Sequence, residues 1–166
     1  MTTREPVLKY ESQLLVDFKS HIRITSDDLD AELRQKLLAA VFHAEHHIGQ
    51  VILLSRFTRT SSFAQTVTLK VPVVTVEGLE VDGNAVTDYS VTANVLTVGP
   101  SVQGTTMTVT YTAGYDFIPF DMKAAILMHA ASLFNNPTDS VETLTKASQN
   151  LLRPYRSWGL DNGEQD

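Results

Sequence analysis

The stretch FHAEHHIG, Phe42 to Gly49, gathers the chain's densest set of ionisable ring nitrogens. His43 and His47 stand four residues apart, so on a helix both imidazoles leave from one flank, a spacing that can hold a divalent metal. Glu45 and His46 add further donors. The string is neither H-E-x-x-H nor H-x-x-E-H, and no third ligand can be picked out elsewhere. On a helical wheel the two histidines fall beside Lys36 on a polar flank. The expectation is therefore a solvated flank and no bound metal. His43 and His47 remain the metal candidates, with a pH sensor at a subunit boundary as the other use of such a pair.

A second reactive stretch is LLRPYRSWG, Leu151 to Gly159. Arg153, Tyr155, Arg156 and Trp158 combine cations with stacking rings, as single-strand nucleic-acid sites do. Two arginines are a small footprint for phosphate, and Asp161 and Glu164 follow at once. Arg, Tyr and Trp are also the residues enriched at the energetic centres of protein interfaces. The stretch is read as a closing clamp, with these four residues at a subunit surface.

Other chemistries lack their parts. The sequence has no cysteine, so thiolate catalysis and disulfides are unavailable. It contains no G-x-S-x-G elbow, no G-x-G-x-x-G and no Walker motif. Asp82 and Asp88 flank a turn, where Asp is common for turn reasons. The chain is expected to be no enzyme and to need no cofactor.

The elements that position these residues fall into three regions. Residues 14–50 read as helical. Leu29, Leu33, Leu37, Ala40, Ala44 and Ile48 recur on one stripe, with Ser26, Asp27 and Asp28 supplying N-cap oxygens and first-turn negative charge and Gly49 as the stop. Leu38 and Phe42 lie off that stripe, as a second apolar face for an intradomain or subunit contact. Residues 58–115 turn to Thr and Val in period-two alternation, as in Val67-Leu69-Val71 and Met107-Val109-Tyr111. DGNA at 82–85 and Ala93-Asn94 mark hairpin turns, and Pro72 a strand end. Residues 119–153 are helical again. Pro119 opens a helix that is apolar nearly all round, including Leu127 and Met128, and expected to be buried on more than one side. Pro154 stops the next one, and 159–166 form a polar tail.

The fold class expected is α+β in a single domain. N- and C-terminal helices pack together, with an inserted antiparallel sheet of about four or five strands. With 166 residues the chain can bury about 70% of its unfolded surface. No apolar run approaches the roughly 20 residues of a membrane span, and MTTREPVLKY lacks a signal-peptide core. Thirteen basic and nineteen acidic side chains give a formal net charge of −6, which argues against a broad phosphate-binding surface.

Three segments in order resemble the head–tail connector (adaptor) proteins of tailed bacteriophages: FKSHIRITSDDLDAELRQKLLAAVFHAEHHIG, IPFDMKAAILMHAASLF and LLRPYRSWGL. The last is similar to that family's closing Leu-Leu-x-Pro-Tyr-Arg signature. The resemblance implies a structural virion protein at the neck, made in the host cytoplasm. It implies a homo-oligomer, a dodecameric ring between the portal protein and a stopper or tail-completion protein. DNA would pass through the channel without sequence-specific binding, and an acidic lining would suit that passage. Leu38, Phe42, Leu127, Met128, Arg153, Tyr155, Arg156 and Trp158 are then the candidate interface residues. The alternatives are another neck or tail-completion protein, a small β-sheet ligand-binding module, or a His-cluster metal-dependent enzyme.

Overall fold

The computed structural model describes residues 1–6, 8–136 and 144–157, the side chains of 8–10 excepted. The fold is α+β, and the described residues divide into two compact units. One is built on 1–6 and 54–116, the other on 8–53, 117–136 and 144–157.

The first unit holds eight strands: β1 (Thr2–Pro6), β2 (Ser55–Ser62), β3 (Thr66–Thr68), β4 (Val73–Val81), β5 (Asn84–Ala85), β6 (Tyr89–Thr92), β7 (Val95–Val98) and β8 (Thr106–Ala113). They form a five-stranded sheet in the order β1-β2-β8-β4-β5 and a three-stranded sheet in the order β3-β7-β6, antiparallel throughout. The single sheet of the sequence reading is thus two.

Alternation decides the faces. Along β8, Met107, Val109, Tyr111 and Ala113 are buried, and the threonines between them are not. The β2–β8 register runs unbroken from Ser55↔Ala113 to Ser62↔Thr106, setting Phe57 opposite Tyr111. Their rings stack with centroids 5.4 Å apart, a favourable offset geometry. The Tyr111 hydroxyl accepts from the Lys70 N–H just beyond β3 (3.3 Å), tying one sheet to the other. Val67, Leu96 and Val98 are the buried face of the smaller sheet.

The DGNA turn closes β4 onto β5 with Val81↔Asn84 flanking it. Asp82 and Gly83 both have positive φ, 49° and 80°, which the tight two-residue hairpin requires. The Asp82 carboxylate accepts from the Thr105 N–H, the Thr106 N–H and the Thr106 hydroxyl, pinning the turn to the start of β8. Pro72 lies immediately before β4, at a strand end as expected.

The second unit holds α1 (Leu8–Ile22), α2 (Asp30–Ile48), α3 (Phe120–Asn135) and α4 (Lys146–Leu152), followed by a 3-10 turn at Arg153–Tyr155. Helices from both ends of the chain pack together here. The α2 stripe is as expected: Leu33, Leu37, Ala40, Ala44 and Ile48 are buried, joined by Val41. Each buried leucine contributes about 2 kcal/mol through surface removed from water. Gly49 stops the helix in the left-handed conformation (φ 70°), its N–H bonding Glu45 O.

The start of α2 differs from the expectation. Ser26, Asp27 and Asp28 do not cap it; Leu29 occupies the N-cap without a side-chain bond. Ser26 Oγ instead accepts from the Asp28 N–H (3.2 Å). Asp27 and Asp30 both reach Lys19 Nζ at the end of α1, so the acidic turn joins two helices. Two boundaries also move. α1 begins at Leu8, ahead of the expected start, because the buried apolar residues that mark it in sequence, Leu14, Leu15 and Phe18, come only in its later turns. The β region begins at Ser55.

On α3, Met122, Ala125, Ile126, Leu127, His129 and Ala130 are buried. Contacts come from more than one side: Lys123 pairs with Asp17 of α1 (2.9 Å), and Ser148 Oγ of α4 donates to Ala125 O (3.0 Å). Thr145 caps α4 by accepting from the Ser148 N–H.

Candidate assembly surface

The candidate surface comprises the faces of α2 and α3 that the core leaves over, and the chain after α4. On α2, Phe42 is 48% exposed and Leu38 half-buried. On α3, Met128 is 37% exposed, whereas Leu127 is only 8% exposed. Leu127 is therefore a core residue of the helical unit, and Met128 carries that helix's exposed apolar surface.

Sequence reasoning missed the most exposed aromatic pair among the described residues. Phe117 and Phe120 are 67% and 72% exposed, and their rings meet edge-to-face at 5.5 Å. Lys123 Nζ lies 5.8 Å from the Phe120 centroid. The signal was available in FIPF, two aromatics flanking the proline that opens α3, but it was absorbed into the reading of a helix start.

The closing stretch forms a clamp by its backbone. Pro154 sits in the 3-10 turn, Leu152 is buried, and the chain then runs along the end of α2. Gln50 Nε2 donates to Tyr155 O (2.9 Å). Ser157 donates its N–H and its hydroxyl to Ile48 O. A helix C-terminus leaves its last carbonyls without intrahelical partners, and here the tail supplies a donor. Arg153 and Arg156 are exposed and Tyr155 half-buried. Trp158 lies outside the described residues.

The histidines are not where the wheel puts them. His43 is half-buried, and its Nδ1 lies 2.8 Å from Nε2 of His129, which is fully buried on α3. Burial, then the neighbouring His43, push the His129 pKa down to about 4. His47 is also held below the usual histidine value, by burial first and then by Arg156 and His46. His43 pairs across to α3 while His47 faces the closing stretch. Among the described residues no group of three or more His, Cys, Asp or Glu side chains is placed to hold a metal. No helix among them is long and apolar enough to cross a membrane.

No protein-family model matches the chain, and no curated protein does. Solved structures do. The chain is similar to one in the neck of the empty gene transfer agent (GTA) particle, computed with C6 symmetry, at 18% identity and TM-score 0.79, covering 99% of this chain and 100% of that one. It is similar to one in the neck of the native particle, computed with C12 symmetry, at 18% identity and TM-score 0.76 with the same coverage. A chain of the native particle's virion matches at 19% identity and TM-score 0.76 over 98% of both chains. At these identities the likeness establishes a shared fold, and it extends over essentially the whole chain.

Proposed function

We propose that this chain is a structural component of the neck of a tailed-phage-like particle. It acts as a head–tail adaptor that forms a ring beneath the portal and extends the DNA channel. The observation that carries the reading is the full-length match to chains from particle necks, with 99% of this chain covered. Matches confined to one unit would support only a shared module.

The chain's own surfaces agree with the proposal. A ring joins unlike faces head to tail, and the helical unit offers separate apolar sites. Phe42 and Leu38 lie on α2, Met128 on α3, and Phe117 and Phe120 at the α3 start. The net charge of −6 suits a channel along which DNA slides without adhering. Arg153, Tyr155, Arg156 and Trp158 are proposed as contacts to a neighbouring subunit or to the portal, and no catalytic role is assigned.

Native mass spectrometry tests the proposal, on the purified chain alone and after mixing with the portal ring of the same particle. The proposal expects a discrete higher-order species carrying many copies of this chain per portal ring. A chain that stays free at saturating concentrations of both would refute it.

A further inference from the structure

We infer that the His43–His129 pair is a proton-sensitive latch that holds α2 against α3 and releases when one proton is taken up. The inference is independent of the ring proposal.

The geometry sets the terms. The two ring nitrogens are 2.8 Å apart, so one must carry a proton and the other a lone pair. His129 is fully buried, and its second nitrogen, Nδ1, has no hydrogen-bond partner among the described residues. If His129 accepted through Nε2, its proton would sit on Nδ1 as a buried N–H with no acceptor, the costlier kind of orphan. The structure therefore assigns His129 as the Nε2–H tautomer, donating to His43 Nδ1. His43 then carries its own proton on Nε2.

One added proton defeats this arrangement. An imidazolium is a donor at both nitrogens. If His43 is protonated, its Nδ1–H faces the Nε2–H of His129. Either the rings part, or His129 moves its proton to Nδ1 and creates the buried orphan. If His129 is protonated, a charge sits at a fully buried site.

Among the described residues, no neighbouring element offers a free counter-charge. On α1, Glu11 is engaged by Arg34, Asp17 by Lys123 and Lys19 by Asp27 and Asp30, and His21 is exposed. From α4 the packed group is Ser148, whose hydroxyl is spent on Ala125 O, and Lys146 is exposed. On α2, Glu45 accepts from the Ile52 and Leu53 N–H groups, and the other ionisable side chains along the His43 flank are the half-buried cation Lys36 and the neighbouring His46 and His47. On α3 the remaining ionisable groups, Asp121 and Lys123, lie in the first turns.

The latch also touches the surface. Phe42 and Met128 immediately precede the two histidines and are partly exposed. The turns of α2 and α3 that the latch holds are therefore those that carry these two side chains.

The test uses the intact chain. Imidazole nitrogen NMR, followed from pH 7.5 to 4.5, reads tautomer and protonation directly. The inference expects His129 to stay a neutral Nε2–H tautomer until well below pH 6. The protection factors of α3 amides, which divide out the intrinsic pH dependence of exchange, should fall over the same range, by about 30-fold at pH 5, from a native pKa of about 4 against about 6.5 unfolded. The double variant His43→Asn/His129→Leu should lose most of that pH dependence, whereas the control His21→Asn should keep it. A His129 that titrates near 6.5 in the folded chain overturns the inference, as does a folded double variant with the parent's pH dependence. If the double variant does not fold, the nitrogen titration of the parent decides alone.

Discussion

Ser157 donates both its backbone N–H (2.9 Å) and its hydroxyl (3.0 Å) to the carbonyl oxygen of Ile48, the last residue of α2. Residues 109 apart in sequence are thus joined where a helix would otherwise end on an unpartnered carbonyl. Ser157→Ala removes one of the two bonds and should cost about 1 kcal/mol. Ser157→Pro removes the N–H as well and should cost about 2–3 kcal/mol. Urea unfolding midpoints of the two variants check the order. Equal midpoints would mean that the tail merely lies along α2.

Glu45 does for the chain leaving α2 what Ser157 does for the helix end. Its Oε1 accepts from the Ile52 N–H (2.8 Å) and the Leu53 N–H (3.1 Å). Charged acceptors make the stronger bonds. Glu45→Ala should therefore destabilise by about 2–4 kcal/mol, leaving two part-buried donors without this acceptor. Glu45→Gln keeps an acceptor oxygen and should recover more than half of that loss in the same measurement.

Asp82 provides a pH dependence of the opposite chemical kind to the histidine pair. Hydrogen bonds from the Thr106 N–H, the Thr105 N–H and the Thr106 hydroxyl hold its carboxyl below the ordinary value of 3.8. The folded state thus favours the ionised form. The stabilisation is complete above the unfolded pKa and is lost as pH falls through the lower folded value. Asp82→Asn tolerates the positive φ and removes the charge. Its acid-unfolding curve should be flatter than the parent's below pH 4. A curve parallel to the parent's would assign the acid sensitivity elsewhere.

The exposed apolar residues should separate folding from assembly. Phe117→Ser and Phe120→Ser alter surface side chains, so each should change stability by no more than about 0.5 kcal/mol. If these rings anchor a subunit contact, losing both should weaken assembly on the portal by more than about 30-fold, the scale of an interface hot spot. Leu127→Ala is the contrasting case, because that side chain is buried. It should cost about 2–5 kcal/mol in stability itself.

Local pattern carried much of the fold. Leu33, Leu37, Ala40, Ala44 and Ile48 are buried because a period of 3.6 puts them on one stripe. Met107, Val109 and Tyr111 are buried because a period of two puts them on one face. Gly49 stops α2 for a reason visible in one residue. What escaped was set by partners distant in sequence. Thr2–Pro6 has no apolar alternation, and it is a strand because residues 55–59 pair with it. The division into two sheets depends on which strands meet, which no single run encodes.

The surface was legible unevenly for the same reason. Phe42 and Met128 stood off their apolar stripes and are exposed, whereas Leu127 looked equivalent to Met128 and is buried. His43 read as solvated because its partner His129 is 86 residues away on another helix. The one available hint was that His129 interrupts an almost wholly apolar helix. For the closing stretch, Arg153, Tyr155 and Arg156 drew attention by type, while the bonds that fix it come from Ser157 and Gln50.

The central claim, that this chain forms a ring of a particle neck, is tested most directly by cryo-electron microscopy of the portal mixed with an excess of this chain. The account predicts a closed ring of copies coaxial with the portal, each occupied by the two-unit α+β fold, with the channel continuing through it. Bare portal rings, or single copies bound at scattered positions without closure, would contradict it.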